Sequence, residues 1–160
     1  MQEGFERTLV LLKPDAVQRR LIGRILQRFE RKGLAIVALK LVRVSEDLAR
    51  EQYRVHQGKD FHEPLVKFLI SSPVVACVLE GVEAIATARK LMGATFGRDA
   101  EPGTIRGDFG TSKRYNLIHG SDSPETAEFE IGLYFGADEI LAYQPDDLPW
   151  VYDLNGPEPV

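Results

Sequence analysis

Cysteine is almost missing from this chain. Cys77 stands alone in 160 residues, so no internal disulfide can form, and its place inside the apolar run "PVVACVL" makes it a core residue before a reactive thiol. That run, residues 73–79, is the longest uncharged apolar stretch and is far too short to span a bilayer. The opening "MQEGFERT" has no signal-peptide architecture, so we expect no export and a cytoplasmic, reducing location. An excess of positive charge is also missing. With net charge -4 and pI near 5.4, no global basic field is available to hold nucleic acid, and only local basic patches remain. The usual glycine-rich phosphate loops are absent: there is no G-x-x-x-x-G-K-[ST] and no G-x-G-x-x-G after a strand, so any nucleotide phosphates must be held by side chains. Low complexity is absent as well. A chain with 44% hydrophobic and 28% charged residues is an ordinary soluble globular one, and its length suits a single domain, 1–160, without repeats or a linker.

What is present is an alternation of short apolar strands and amphipathic helices. "TLVLL" (8–12) reads as a strand that Lys13-Pro14-Asp15 breaks. Ile22, Ile25, Leu26 and Phe29 then recur at helical spacing, with Gly33 placed to end the helix. Residues 34–44 read as a long second strand, Ser45 with Glu46 and Asp47 opens another helix, and two helical pieces precede Pro73. "VVACVLEG" is a third strand, and "VEAIATARKLMG" is a helix with Ile85, Ala88, Leu91 and Met92 inward. Residues 94–114 show no periodicity, and a loop of that length is normally functional. "YNLIH" is a fourth strand, and "ADEILAYQ" a last short helix before a Pro-rich tail.

The stretch "NLIHGSDSPETAEFEIG" (116–132) concentrates the polar chemistry. Ser123 is a good N-cap, Pro124 suits the first helical position, and Glu125 complements the positive end of the helix dipole. His119 therefore sits just upstream of an electropositive helix start. Within the helix, Ala127, Ile131 and Tyr134 form an inward stripe, and Glu130 falls on the same side. A buried carboxylate needs a donor, and His119 is available. On residue type and spacing alone, a structural histidine paired with a carboxylate at the helix edge is the favoured reading. Lys13 at a strand end, Arg89 on a helix edge and Arg106 among glycines are each weak signals. Together with an uncommitted histidine they suit a phosphate-bearing ligand, because guanidinium forks match phosphate oxygens and a histidine can accept a phosphoryl group.

The elements "ERTLVLLKPDAVQR", "SPVVACVLEG", "PGTIRGDF", "NLIHGSDS", "FEIGLYF" and "WVYD" occur in that order over about residues 6–152, and on them the chain resembles the nucleoside diphosphate kinase family. The resemblance implies an α+β, ferredoxin-like sandwich, a four-stranded antiparallel sheet with covering helices, and places the helices of residues 45–72 as an insertion between the second and third strands. It implies transfer of the γ-phosphoryl group of a nucleoside triphosphate to a nucleoside diphosphate, by a ping-pong mechanism through a phosphohistidine on His119. By the same resemblance Glu130 and Ser121 orient the imidazole. Lys13 and Asn116 match contacts to the sugar hydroxyls and terminal phosphate, while His56, Arg89, Thr95 and Arg106 match phosphate contacts. Tyr53 matches a residue packed beside the lysine and histidine. Phe61 matches the aromatic that stacks on the base, which gives little base specificity because every base has a π-face. Mg²⁺ is implied as the companion of the nucleotide, held mainly by phosphate oxygens and water, with Asp122 a candidate for a water-mediated contact. A homohexamer is implied, with a tetramer as the alternative.

Three places depart from the family pattern: Thr95-Phe96-Gly97, Asp60-Phe61-His62, and "GTSKRY", whose Lys113 and Arg114 add positive charge beside the site. The first two flank binding positions and leave the shape of the base slot open. The tail 153–160 extends past the resemblance and has no assigned role. Two rivals are a phosphohistidine carrier that donates to proteins and a non-catalytic regulatory module. Neither requires a sugar-contacting Lys13 and Asn116 or a base-stacking Phe61, so a nucleotide slot favours the kinase.

Overall fold

The computed structural model describes residues 4–156 and 159. Of the tail 153–160, residues 157, 158 and 160 lie outside the described residues. Four strands form one antiparallel sheet in the order β2-β3-β1-β4: β1 (Glu6–Leu12), β2 (Ala35–Val42), β3 (Val74–Gly81) and β4 (Ile118–Gly120). The helices are α1 (Pro14–Gln18), α2 (Ile22–Arg31), α3 (Glu46–Gln52), α4 (His62–Leu69), α5 (Ala84–Met92), α6 (Ile105–Phe109), α7 (Pro124–Tyr134) and α8 (Leu148–Val151). This is the expected α+β sandwich with a four-stranded antiparallel sheet, and α3 and α4 occupy the insertion between β2 and β3.

Side-chain alternation along the strands divides the interior into two layers. Val10 and Leu12 of β1 and Cys77 and Leu79 of β3 face one way, onto Ile25 and Phe29 of α2, Ala84 and Ala88 of α5 and Ile105 of α6. Leu9 and Leu11 of β1 and Ala76 and Val78 of β3 face the other, onto Ala49 of α3, Val66 and Leu69 of α4 and Tyr134 of α7. β3 lies between two strands and under both layers, so its residues are buried throughout, and "VVACVLEG" is accordingly a continuous apolar run before its final Glu-Gly. Phe29 is fully buried in the first layer, and its truncation to alanine would cost about 3–5 kcal/mol.

Several local expectations are corrected. The break at Pro14 is itself the first position of α1, because proline costs nothing at a helix start. Residues 94–114 are not structureless: they hold a 3-10 turn at Gly97–Asp99 and α6, capped by the Thr104 side chain accepting from the Gly107 amide. Arg106 therefore stands on a helix. The fourth strand shrinks from the expected 115–119 to Ile118–Gly120. Leu117 adopts φ 71, and the Ile118 amide donates to the Asn116 carbonyl at 2.8 Å, a tight turn that delays entry into the sheet. "ADEILAYQ" yields only a 3-10 turn, Ala137–Glu139. The expected caps at Ser45 and Ser123 are formed, by acceptance from the amides of Leu48 and Thr126.

Candidate active site

β4 carries His119 between its partners on β1. Leu11 is paired with His119, and Val10 and Leu12 with its neighbours Gly120 and Ile118. Because Leu11 points into the layer of α3, α4 and α7, the histidine on its register points the same way, toward α7. The Nε2 atom of His119 lies 2.8 Å from Oε1 of Glu130, on the buried face of α7. The other oxygen of that carboxylate accepts from the Ser121 hydroxyl at 2.5 Å. Burial pushes the Glu130 carboxyl up, but the bonds from His119, Ser121 and Gln52 outweigh it and leave the group below its ordinary value. An ionised Glu130 fixes the proton of the imidazole on Nε2 and leaves the lone pair on Nδ1. The His119 side chain is 27% exposed, so Nδ1 is within reach of a ligand.

The segment before His119 is tied down on both sides. The Leu117 amide donates to the Asp15 carboxylate at 3.0 Å, and the Lys13 amide donates to the Leu117 carbonyl at 2.8 Å. Arg106 is buried and donates to the carbonyls of Asn116, Gly93 and Ile118, at 3.1, 3.0 and 2.6 Å. Two of its five N–H groups thus hold the backbone that presents Asn116 and His119, a third ties that backbone to Gly93 at the end of α5, and two remain for a ligand. Burial, with Arg89 adding to it, lowers its pKa to about 10. Arg89 is exposed and makes one bond, to the Gly120 carbonyl at 3.2 Å.

Lys13 is buried, which lowers its pKa to about 8 against the opposing pull of Asp15. Its ammonium lies 5.5 Å from the centroid of the Phe68 ring. Asn116 donates to the Thr95 carbonyl at 2.7 Å, while its own Oδ1 is buried with no partner among the described residues, an acceptor waiting for a donor. Tyr53, His56 and Phe61 form an aromatic row: Tyr53 stacks on His56 at 6.2 Å, and His56 meets the edge of Phe61 at 5.3 Å. Burial raises the Tyr53 hydroxyl to about 12, and burial lowers His56, with Lys59, His62 and His119 adding to the effect. Phe61 is half exposed at the far end of the row, with the Lys59 ammonium 5.6 Å from its ring centroid.

The structure therefore gathers His119, Glu130 and Ser121 in one pocket, and it links Arg106, Asn116 and Thr95 through one backbone turn. Asp122 is exposed beside Ser121 and joins none of these bonds. Two contributors were missed in the sequence. Phe68 sits under Lys13, and Gln52, buried on α3, donates its amide to Oε1 of Glu130 at 2.7 Å. The signal for Gln52 was present: it follows Ala49 by three positions, so a polar side chain occupies the inward stripe of an amphipathic helix.

Residues 6–140 match the family model described as Nucleoside diphosphate kinase. A curated nucleoside diphosphate kinase of Prochlorococcus marinus is 57% identical over 147 residues, covering 92% of this chain and 97% of the relative. One from Carboxydothermus hydrogenoformans is 51% identical over 149 residues, covering 93% and 100%. Among solved structures, a halophilic nucleoside diphosphate kinase of Halobacterium salinarum in complex with CDP superposes with a TM-score of 0.90 at 50% identity, covering 92% of this chain and 98% of that one.

Proposed function

From the premise that the chain belongs to the nucleoside diphosphate kinase family, we propose that His119 is the nucleophile of its phosphoryl transfer, and that Glu130 and Ser121 orient it. The reaction itself is that of the family: the γ-phosphoryl group of a nucleoside triphosphate passes to a nucleoside diphosphate through a phosphohistidine in a ping-pong sequence. The observation that carries the assignment is the His119–Glu130 bond at 2.8 Å, which commits Nε2 and leaves Nδ1 as the attacking atom. In the first half-reaction the Nδ1 lone pair forms the bond to the γ-phosphorus, the bond to the bridging oxygen breaks, and the diphosphate leaves with that electron pair. Positive charge then develops on the ring, and the Glu130 carboxylate stabilises it. In the second half, a terminal phosphate oxygen of another diphosphate attacks the phosphorus and the N–P bond breaks.

The remaining residues divide the nucleotide between them. Arg89, the two uncommitted N–H groups of Arg106, His56 and the Thr95 hydroxyl face the phosphates. Lys13 and the open Oδ1 of Asn116 take the sugar hydroxyls and terminal phosphate, Tyr53 backs the site, and Phe61 stacks on the base. Enzymes of this family need a divalent cation, and we take it to be Mg²⁺ arriving on the nucleotide. Oxygen donors suit that ion, and the exposed carboxylate of Asp122, next to Ser121 in the chain, is the side chain we assign to it, through water. When bound, such a cation would neutralise phosphate charge. Leu39 and Leu41 lie exposed on the edge strand β2, a surface suited to self-association, and we take the assembly to be a hexamer. No helix among the described residues is long and apolar enough to cross a membrane. We take the chain to be one domain working in the cytoplasm.

The purified chain with Mg²⁺ should transfer phosphate from ATP to GDP, UDP and CDP, and His119→Ala should lose at least about a thousandfold of that activity while ADP affinity changes little. Transfer that survives in His119→Ala would remove the histidine from the mechanism.

A further inference from the structure

The contact between α3 and the histidine pocket is not accounted for by the roles above. Gln52 is 5% exposed, its Nε2 donates to Glu130 Oε1 at 2.7 Å, and the same nitrogen lies 3.3 Å from Nε2 of His119. Its Oε1 is buried with no partner among the described residues. The amide cannot be turned round, because a carbonyl oxygen would then face a carboxylate oxygen at that separation. A buried glutamine that leaves its oxygen unpaired is costly, and an apolar side chain would fill the position more cheaply unless the N–H groups are used.

We propose that Gln52 is a positioning residue of the phosphoryl transfer: its amide holds the Glu130 carboxylate in register with His119 Nε2, and so keeps Nδ1 the unprotonated atom that attacks. The inference rests on the reading of His119 as the nucleophile. Oε1 of Glu130 is the oxygen that meets the imidazole, and Gln52 is the only other donor to it among the described residues, since Ser121 binds Oε2. Without that donor the carboxylate can turn away from Nε2, and either ring nitrogen can carry the proton.

Gln52→Leu removes the donor and keeps much of the volume, and Gln52→Glu makes the contact titratable. His119 from β4 and Glu130 from α7 face this position, and the titratable groups coupled to that pair are Tyr134 from α7 and Tyr53 and His56 after α3. Both tyrosine hydroxyls are raised by burial and stay protonated through neutral pH, and His56 is lowered and stays neutral there. In Gln52→Glu, two carboxyls at hydrogen-bond distance share one proton, which pushes one apparent pKa up toward neutrality. Below it, the introduced carboxyl donates to Glu130 as the amide did. Above it, two negative charges repel each other, the Glu130 carboxylate turns away from Nε2 of His119, and the imidazole is no longer held with Nδ1 free.

The kcat of Gln52→Leu should fall about tenfold to a hundredfold, with ADP affinity within about twofold by calorimetry. The kcat of Gln52→Glu relative to the unchanged chain should fall about tenfold between about pH 6.5 and 8.5. A kcat for Gln52→Leu within about twofold of the unchanged chain, or a Gln52→Glu ratio flat with pH, overturns the role. If Gln52→Leu does not fold, the pH ratio decides alone. Acid-labile label on His119 together with a flat ratio rejects Gln52 only, whereas an active unchanged chain with no label on His119 rejects the nucleophile beneath it.

Discussion

The histidine pocket and the rim that we propose faces the nucleotide are built on different principles. In the pocket, Glu130, Ser121 and Gln52 are buried, and each is bonded to another member of the set. On the rim, Phe61, Thr95 and Arg89 are exposed and stand on turns or helix ends with few commitments. Chemistry at one atom demands a fixed lone pair, and only a packed hydrogen-bonded cluster fixes one. A ligand that arrives with interchangeable bases demands the opposite, a surface that stacks and attracts charge without reading edges. The two arginines repeat the contrast. Arg106 spends three N–H groups on backbone carbonyls, two of them in the segment before His119, and Arg89 spends one.

The largest expected effect tests that difference. Arg106→Ala removes three bonds to backbone carbonyls as well as a phosphate ligand, so stability should fall by about 2–4 kcal/mol while affinity and turnover fall with it. Arg89→Ala should lower ADP affinity with the melting temperature within a degree or two. Calorimetric melting beside ADP titration checks both, and equal melting for the two variants would break the division between pocket and rim.

Glu130→Gln comes next. It preserves shape and removes the charge that stabilises the ring during transfer, so kcat should fall by about 2–4 kcal/mol of barrier while ADP affinity stays within a few-fold. A loss of ADP binding as large as that of Arg106→Ala would move Glu130 out of the orienting role. On the rim, Phe61→Ala should weaken ADP, GDP, CDP and UDP alike, by about 1–3 kcal/mol of stacking. A loss confined to one base would mean that Asp60, His62 or Phe96 builds a selective slot.

The smallest effect is one of pH. Lys13 titrates near pH 8 because burial disfavours its charge. Below that pH the ammonium attracts phosphate, and above it the neutral amine does not, so the ADP dissociation constant should rise about threefold to tenfold between about pH 7 and 9. A flat profile would mean that Lys13 does not meet the phosphates.

The layering of the fold was legible because its signals are local. Ser45 and Ser123 announced their helices, the apolar run 73–79 announced β3, and the Ile22–Phe29 stripe announced the buried face of α2. The errors lie where tertiary bonds override pattern: the Leu117 turn cuts β4 short, and α6, a single turn capped by Thr104, is too brief to show periodicity. At the site, the residue types of the pocket were readable as a His–Glu pair, but spacing could not separate a structural pair from a catalytic one. The motif resemblance is what points to the catalytic pair we propose. Gln52 escaped because its partners lie 67 and 78 residues away in sequence, and its polarity on an inward helix face has meaning only once α7 is beside it.

The central claim, that this pocket exists to free one nitrogen of His119, is tested most directly by trapping the intermediate. Brief incubation with γ-labelled ATP and Mg²⁺, followed by quenching and peptide mapping, should place one acid-labile, alkali-stable phosphate on His119, lost on addition of a nucleoside diphosphate. Label on a serine, or an active preparation that carries no label, would contradict it.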